Sequence, residues 1–163
     1  MRKKQYNSGM GKIFSQLHKY RENNRIEAKK AVGGLPRSIW ETYSAFANTG
    51  GGVILLGVAE NKKDKRLYPV DLPDPQRLIA QFLELVNNPH VVNRNLLTKK
   101  SVAVEEVDGK EIVVIRVPRA TRKQKPVYIG GNPILGTYYR SGDGDFKCTP
   151  EQVEKMLNDA QRD

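Results

Sequence analysis

Ser44-Ala45-Phe46-Ala47-Asn48-Thr49-Gly50-Gly51-Gly52-Val53-Ile54-Leu55-Leu56-Gly57-Val58-Ala59-Glu60 changes its periodicity partway along. Upstream, Ile39, Trp40, Tyr43, Phe46 and Ala47 recur at the spacing of one helix face, whereas Val53 to Val58 run apolar throughout, as a strand covered on both sides does. The stretch predicts a helix, a tight turn and a buried strand, with the core forming around them. A phosphate-cradling loop runs from strand through glycines to a helix N-terminus. Here the glycines follow a helix, which predicts a left-handed cap and turn rather than a nucleotide cradle. No G-x-x-x-x-G-K-[ST] occurs in the chain.

Outward from that stretch, residues 1–9 read as a disordered basic arm and 10–163 as one domain. Ile13, Phe14 and Leu17 predict a short amphipathic helix. A short strand is expected around Arg25 to Lys30, closed by Gly33-Gly34, and Pro36 is expected to open the organising helix. Asn61 to Arg66 reads as a charged loop. Asp74-Pro75 caps a helix carrying Leu78, Ile79, Phe82, Leu83 and Val86 on one face. Val102 to Val107 and Glu111 to Val117 flank Asp108-Gly109, a strong hairpin signal. Val127 to Ile129 and Gly136 to Arg140 predict two further strands, and Thr149-Pro150-Glu151-Gln152 a capping box opening the last helix. This order points to an α+β, two-layer domain with a mixed sheet of about five to six strands and packed helices.

The 163 residues suffice for one core without staples. No apolar run approaches the roughly 20 residues needed to cross a bilayer, and no secretory h-region follows the basic start. The single Cys148 forms no internal disulfide and suits a reducing compartment, so a cytoplasmic protein without membrane contact is expected. One cysteine and two distant histidines, His18 and His90, supply no Cys/His metal cluster. No nucleophile elbow is present.

The charge is informative: 28 Lys+Arg against 18 Asp+Glu gives a net +10, which predicts attraction to polyanions and salt-sensitive binding. Four cations crowd Arg119-Ala120-Thr121-Arg122-Lys123-Gln124-Lys125-Pro126, a turn-like stretch suited to gripping phosphates. Arg119, Arg122, Lys123 and Lys125, with Lys62, Lys63 and Lys65 of the earlier loop and with Lys29 and Arg140, are the candidate nucleic-acid contacts. Glu22, Glu27 and Glu60 fall at or near predicted strand ends. Converging carboxylates within a basic surface would hold a divalent cation able to activate water against a phosphodiester. A spacing of five puts Glu22 and Glu27 on opposite faces of one strand, so convergence requires Glu22 to lie outside it.

The stretch from Glu22 through Glu27-Ala28-Lys29, then Tyr43 to Gly52 and Ile54-Leu55-Leu56-Gly57-Val58, with Lys125-Pro126-Val127-Tyr128 and Tyr138-Tyr139-Arg140-Ser141-Gly142, resembles the Schlafen-type AlbA-like domain over about residues 20–160. The resemblance implies an α/β nucleic-acid-binding domain, usual in bacterial transcriptional regulators. Eukaryotic Schlafen relatives include endoribonucleases whose three acidic residues correspond by motif position to Glu22, Glu27 and Glu60, with Mg or Mn as the implied metal. This chain departs from that pattern at Ala28, where an aromatic is usual, and at Ala59-Glu60, where an Asp pair is usual. Nucleic-acid binding, of DNA before RNA and in a transcriptional regulator, without a certain cofactor, is therefore the first expectation, and a metal-dependent RNase the alternative. An ATP-binding or protein-interaction module is the third reading, although the missing phosphate loop argues against ATP. The edges of a mixed sheet allow a homodimer.

Overall fold

A computed structural model describes residues 14 and 16–163. The expected basic arm over 1–9 lies outside the described residues, as does the start of the expected first helix. Of that helix the described part shows a 3-10 turn, Leu17–Lys19, with Phe14 and Leu17 buried.

The central sheet has four strands in the order β1 (Ile26–Lys29), β2 (Gly52–Leu56), β6 (Lys110–Val117) and β5 (Val102–Val107). β1 runs parallel to β2, and the other pairs are antiparallel. The sheet is mixed, as the order of elements predicts, within an α+β fold. Its strands number four rather than five or six, because the others form two separate ribbons. β3 (Val58–Glu60) pairs with β4 (Leu67–Pro69), and β7 (Tyr138–Ser141) with β8 (Gly144–Lys147). The apolar run through Val58 is not one strand: Gly57 adopts φ +85 and turns the chain out of the central sheet into the β3–β4 ribbon.

α1 (Ile39–Asn48) is capped by Ser38, so Pro36 sits in the preceding turn rather than in the helix. The helix ends as the glycines predict. The Gly51 N–H donates to the Phe46 carbonyl at 2.8 Å with φ +77, and a Cβ on Gly51 would stand 2.9 Å from the Val117 carbonyl oxygen. Only glycine turns the chain this close to β6. α2 (Pro75–Val86) carries the expected Asp74 cap, whose side chain accepts from the Arg77 N–H. The Asp108-Gly109 turn has positive φ at both residues, 50 and 79, the conformation of a two-residue hairpin. Val127 to Ile129 do not form a strand: the segment makes isolated bridges, Val92 to Ile129 and Tyr128 to Thr137. A single turn, α3 (Pro133–Gly136), then leads into β7, and α4 (Pro150–Gln161) opens with the predicted Thr149/Gln152 capping box.

Alternation along the strands separates two cores. Ile54, Leu56, Val113, Ile115 and Val117 face α1 and α2 together with Trp40, Tyr43, Phe46 and Phe82. Leu55, Ile112 and Val114 face the other way, against Phe14, Leu17, Val58 and Leu67. The apolar β2 run is thus covered on both sides, each leucine-sized side chain contributing about 1.5–3 kcal/mol. Trp40 stacks on Phe82 at 5.1 Å, locking α1 to α2. Among the described residues no helix is long and apolar enough to cross a membrane.

Candidate functional site

The polar residues of the organising motif hold the C-terminal third of the chain. Ser44 and Asn48 lie one helical turn apart on α1 and are buried, at 0% and 6% exposure. The Ser44 hydroxyl donates to the Val127 carbonyl at 2.7 Å and accepts from the Tyr138 N–H at 3.0 Å. Asn48 donates to the Val127 and Tyr138 carbonyls, both at 2.9 Å, and accepts from the Val127 N–H at 2.9 Å. Thr49 Oγ1 accepts from the Arg140 N–H at 2.9 Å. These side chains pair with backbone as a neighbouring strand would, so the motif sets where β7 lies.

β7 carries Arg140 inward. Its side chain is fully covered, and the guanidinium donates to the Asn23 and Ile26 carbonyls and pairs with Asp145 at 2.7 Å and Glu27 at 2.9 Å. It also lies over the Phe46 ring at 4.8 Å. The sequence reading of Arg140 as a phosphate contact is corrected: its side chain is covered, and its three nitrogens all donate to acceptors inside the protein. Lys29 is corrected too, since its ammonium is engaged by Glu27 at 3.4 Å and Ser38 at 3.1 Å and its side chain is 12% exposed.

Glu22, Glu27 and Glu60 gather around this arginine, with Glu22 outside β1 as convergence requires. Burial pushes the Glu22 carboxyl up to about 7, with the charges of Glu27 and Glu60 adding to it against the Ala28 N–H and Arg140. The carboxylates are nevertheless committed. Glu22 Oε2 accepts from the Ala28 N–H at 2.9 Å, and both oxygens of Glu27 are held, by Arg140 and by Lys29. Among the described residues, no three His, Cys, Asp or Glu side chains form a group that could hold a metal ion. As the side chains stand, the trio does not fit a resident divalent cation.

The remaining cations divide. Lys62, Lys63 and Lys65 project from the turn between β3 and β4, which Asn61 orders through the backbone N–H groups of Lys63 and Asp64 at 2.9 and 3.3 Å. All three are exposed and have no ion-pair partner among the described residues. Arg122 and Lys123 occupy a 3-10 turn, Arg122–Gln124. They donate to the carbonyls at the end of α4, Arg122 to Asp159 and to Arg162 at 2.9 Å, and Lys123 to Arg162 at 3.2 Å. They satisfy the open carbonyl end of that helix, a role whose partner lies some forty residues downstream.

Arg119 and Lys125 instead face a cleft of about 670 Å³ between the end of α1, their own loop and α4. Burial, and then the charge of Arg119, pulls the Lys125 ammonium below its ordinary range. Neither has an ion pair among the described residues. Thr49, Tyr139 and Lys155 are also part of the lining; the sequence reading did not single them out for this role. For Tyr139 a signal exists: strand neighbours alternate, so an inward Arg140 turns Tyr139 to the opposite face. For Lys155 there is none, because it is one of several charged residues on an exposed helix face.

The family model for Schlafen, AlbA_2 matches residues 22–149. Among solved structures, the chain is similar to the solution structure of the N-terminal domain of a protein from Nitrosomonas europaea named for its relation to the ATP-dependent DNA helicase RecG. That match has 33% identity and a TM-score of 0.61 over 85% of this chain and 92% of that one. A Corynebacterium diphtheriae protein shares the fold at 16% identity and a TM-score of 0.52, over 83% of this chain and 24% of that longer one. No curated protein sequence matches.

Proposed function

Because the chain belongs to the Schlafen AlbA_2 family, we propose that it is a nucleic-acid-binding domain, acting on DNA in a regulatory setting, that grips phosphates with the cations its own fold leaves unpaired. The observation that carries this reading is the juxtaposition at one cleft of Arg119 and Lys125, neither of which has an ion-pair partner among the described residues. Lys62, Lys63 and Lys65 supply a second unpaired group on an ordered turn. DNA is favoured over RNA by the name of the 33% identical neighbour, which refers to a DNA helicase. Arg122, Lys123, Lys29 and Arg140 are excluded from the grip because their charges already have internal work.

The test is one gel: labelled duplex DNA, single-stranded DNA and structured RNA, with manganese or EDTA, across a salt series. Replacing Arg119 and Lys125 with Ala is expected to weaken binding to every sequence alike and to flatten the salt slope by about 0.9 for each duplex phosphate that the variant no longer neutralises. Unchanged affinity and slope would sink this assignment. A metal-dependent ribonuclease is the second reading, favoured by the gathering of Glu22, Glu27 and Glu60 and opposed by the engagement of Glu27 with two cations. Manganese-dependent products that vanish in Glu27→Gln establish it. A shift without products disposes of it.

A further inference from the structure

The cleft between the end of α1 and α4 combines three things on a small scale: unpaired cations, an aromatic face and concave shape. Arg119, Arg122, Lys125 and Lys155 against the single carboxylate Asp159 leave the lining with an excess of three positive charges. Of these, Arg122 is spent on the end of α4 and Lys155 pairs with Asp159 at 3.1 Å, while Arg119 and Lys125 have no counter-ion among the described residues. Two such cations drawn together in a partly buried place cost free energy until an anion joins them. Tyr139 and Met156 supply apolar wall beside them, and Tyr139 is braced from behind by Phe146 at 5.8 Å.

The volume falls within the roughly 300–1,000 Å³ of sites that take a small molecule. A duplex, whose major groove alone is about 12 Å wide, cannot enter it. One unstacked nucleotide can. We propose that this cleft receives a single nucleoside phosphate unit, its phosphate held by Arg119 and Lys125 and its base laid against Tyr139, so that the domain takes up an unpaired nucleotide of the strand it binds. The inference rests on the nucleic-acid reading for its polymer but not for its chemistry, since a free nucleoside monophosphate presents the same two groups.

Competition on the intact chain tests both separately. A labelled short single-stranded DNA is displaced by a nucleoside 5′-monophosphate, by inorganic phosphate or by the nucleoside alone, and binding of the monophosphate is measured directly by calorimetry. The monophosphate is expected to bind at least tenfold tighter than either fragment. Tyr139→Ala is expected to lower monophosphate affinity about tenfold, the loss of one base stack, while leaving inorganic phosphate binding unaltered. Arg119→Gln is expected to lower both. Lys155→Glu, at an exposed position on the cleft rim, places a negative charge in the lining without touching the core and is expected to lower the affinity for both the monophosphate and inorganic phosphate, which keeps a test should Tyr139→Ala fold poorly. Monophosphate binding no tighter than phosphate, or unaffected by Tyr139→Ala and Lys155→Glu in folded protein, overturns the inference even where DNA still shifts with a salt slope. Monophosphate binding with the expected variant pattern in a protein that shifts no nucleic acid supports the cleft and sinks the broader reading instead.

Discussion

Arg140 donates to two backbone carbonyls and faces two carboxylates, Glu27 and Asp145, so its removal takes a charged donor from four acceptors at once. Arg140→Leu is expected to cost about 3–5 kcal/mol, the loss typical of breaking a buried charge network from one side. Urea unfolding measures it, and a variant within about 1 kcal/mol of the parent would show that the carboxylates find water instead. Glu105 on β5 makes the opposite case. It is fully covered, its Oε1 accepts from the Phe14 N–H at 3.4 Å and its Oε2 has no hydrogen-bond partner among the described residues. Burial pushes its carboxyl up to about 7. A raised folded value means that the folded protein keeps a proton which the unfolded chain releases from about 4.5 upward, so the stabilisation present below that pH is lost as pH rises through 7. Glu105→Gln is therefore expected to match the parent near pH 4 and to exceed it by about 3 kcal/mol at pH 8, the rise from 4.5 to about 7 taken at about 1.4 kcal/mol per pH unit. Equal stability of the two at pH 8 would refute this.

At the scale of elements, α1 works through two different faces. Its aromatic face makes the core, and its small and polar residues stand in for a strand edge toward residues 127–140. Asn48→Ala removes four hydrogen bonds, one to Ser44 and three to the 127–138 segment, of which two leave carbonyls without that donor, and is expected to cost on the order of 2–3 kcal/mol. Thermal unfolding of the variant checks this, and a loss below about 0.5 kcal/mol would mean that Ser44 alone holds the segment. What was legible in the sequence follows the same division. α1, α2, α4 and the β5–β6 hairpin carry their signals within a dozen residues, as periodicity, caps and a turn dipeptide, and they were readable. The break at Gly57 was not, because an apolar run looks alike whether it continues or turns into a second ribbon. Nor was the absence of a ladder at Val127 to Ile129, where apolar residues bind a helix side chain in place of a strand. The fate of the cations was least legible: Arg140 meets partners 114 and 117 residues away, and Arg122 meets the end of a helix 37 and 40 residues on. Charge density pointed to one loop, and pairing divides its members: Arg122 and Lys123 meet the end of α4, while Arg119 and Lys125 have no ion pair among the described residues.

For the whole molecule, the four-stranded sheet is a wall with helices on one side and the N-terminal segment with the β3–β4 ribbon on the other. Net charge of +10 sets the long-range attraction to polyanions, whereas the folded arrangement leaves two groups of cations, Lys62, Lys63 and Lys65 in one and Arg119 and Lys125 in the other, without ion pairs among the described residues. The β7–β8 ribbon and α4 join the rest without a strand ladder to the central sheet. They are fastened by Ser44, Asn48, Thr49 and Arg140, by one Ala120 N–H to the Ala47 carbonyl at 2.8 Å, and by the loop at 91–93. Sub-global openings divide a molecule between its cooperative units, and the line between these two passes along the end of α1 with the cleft straddling it, Asn48 and Thr49 on one bank and α4 on the other. An occupant of the cleft is a suture across the seam: it binds only the closed form, so its affinity and the tightness of the C-terminal unit are one linked quantity.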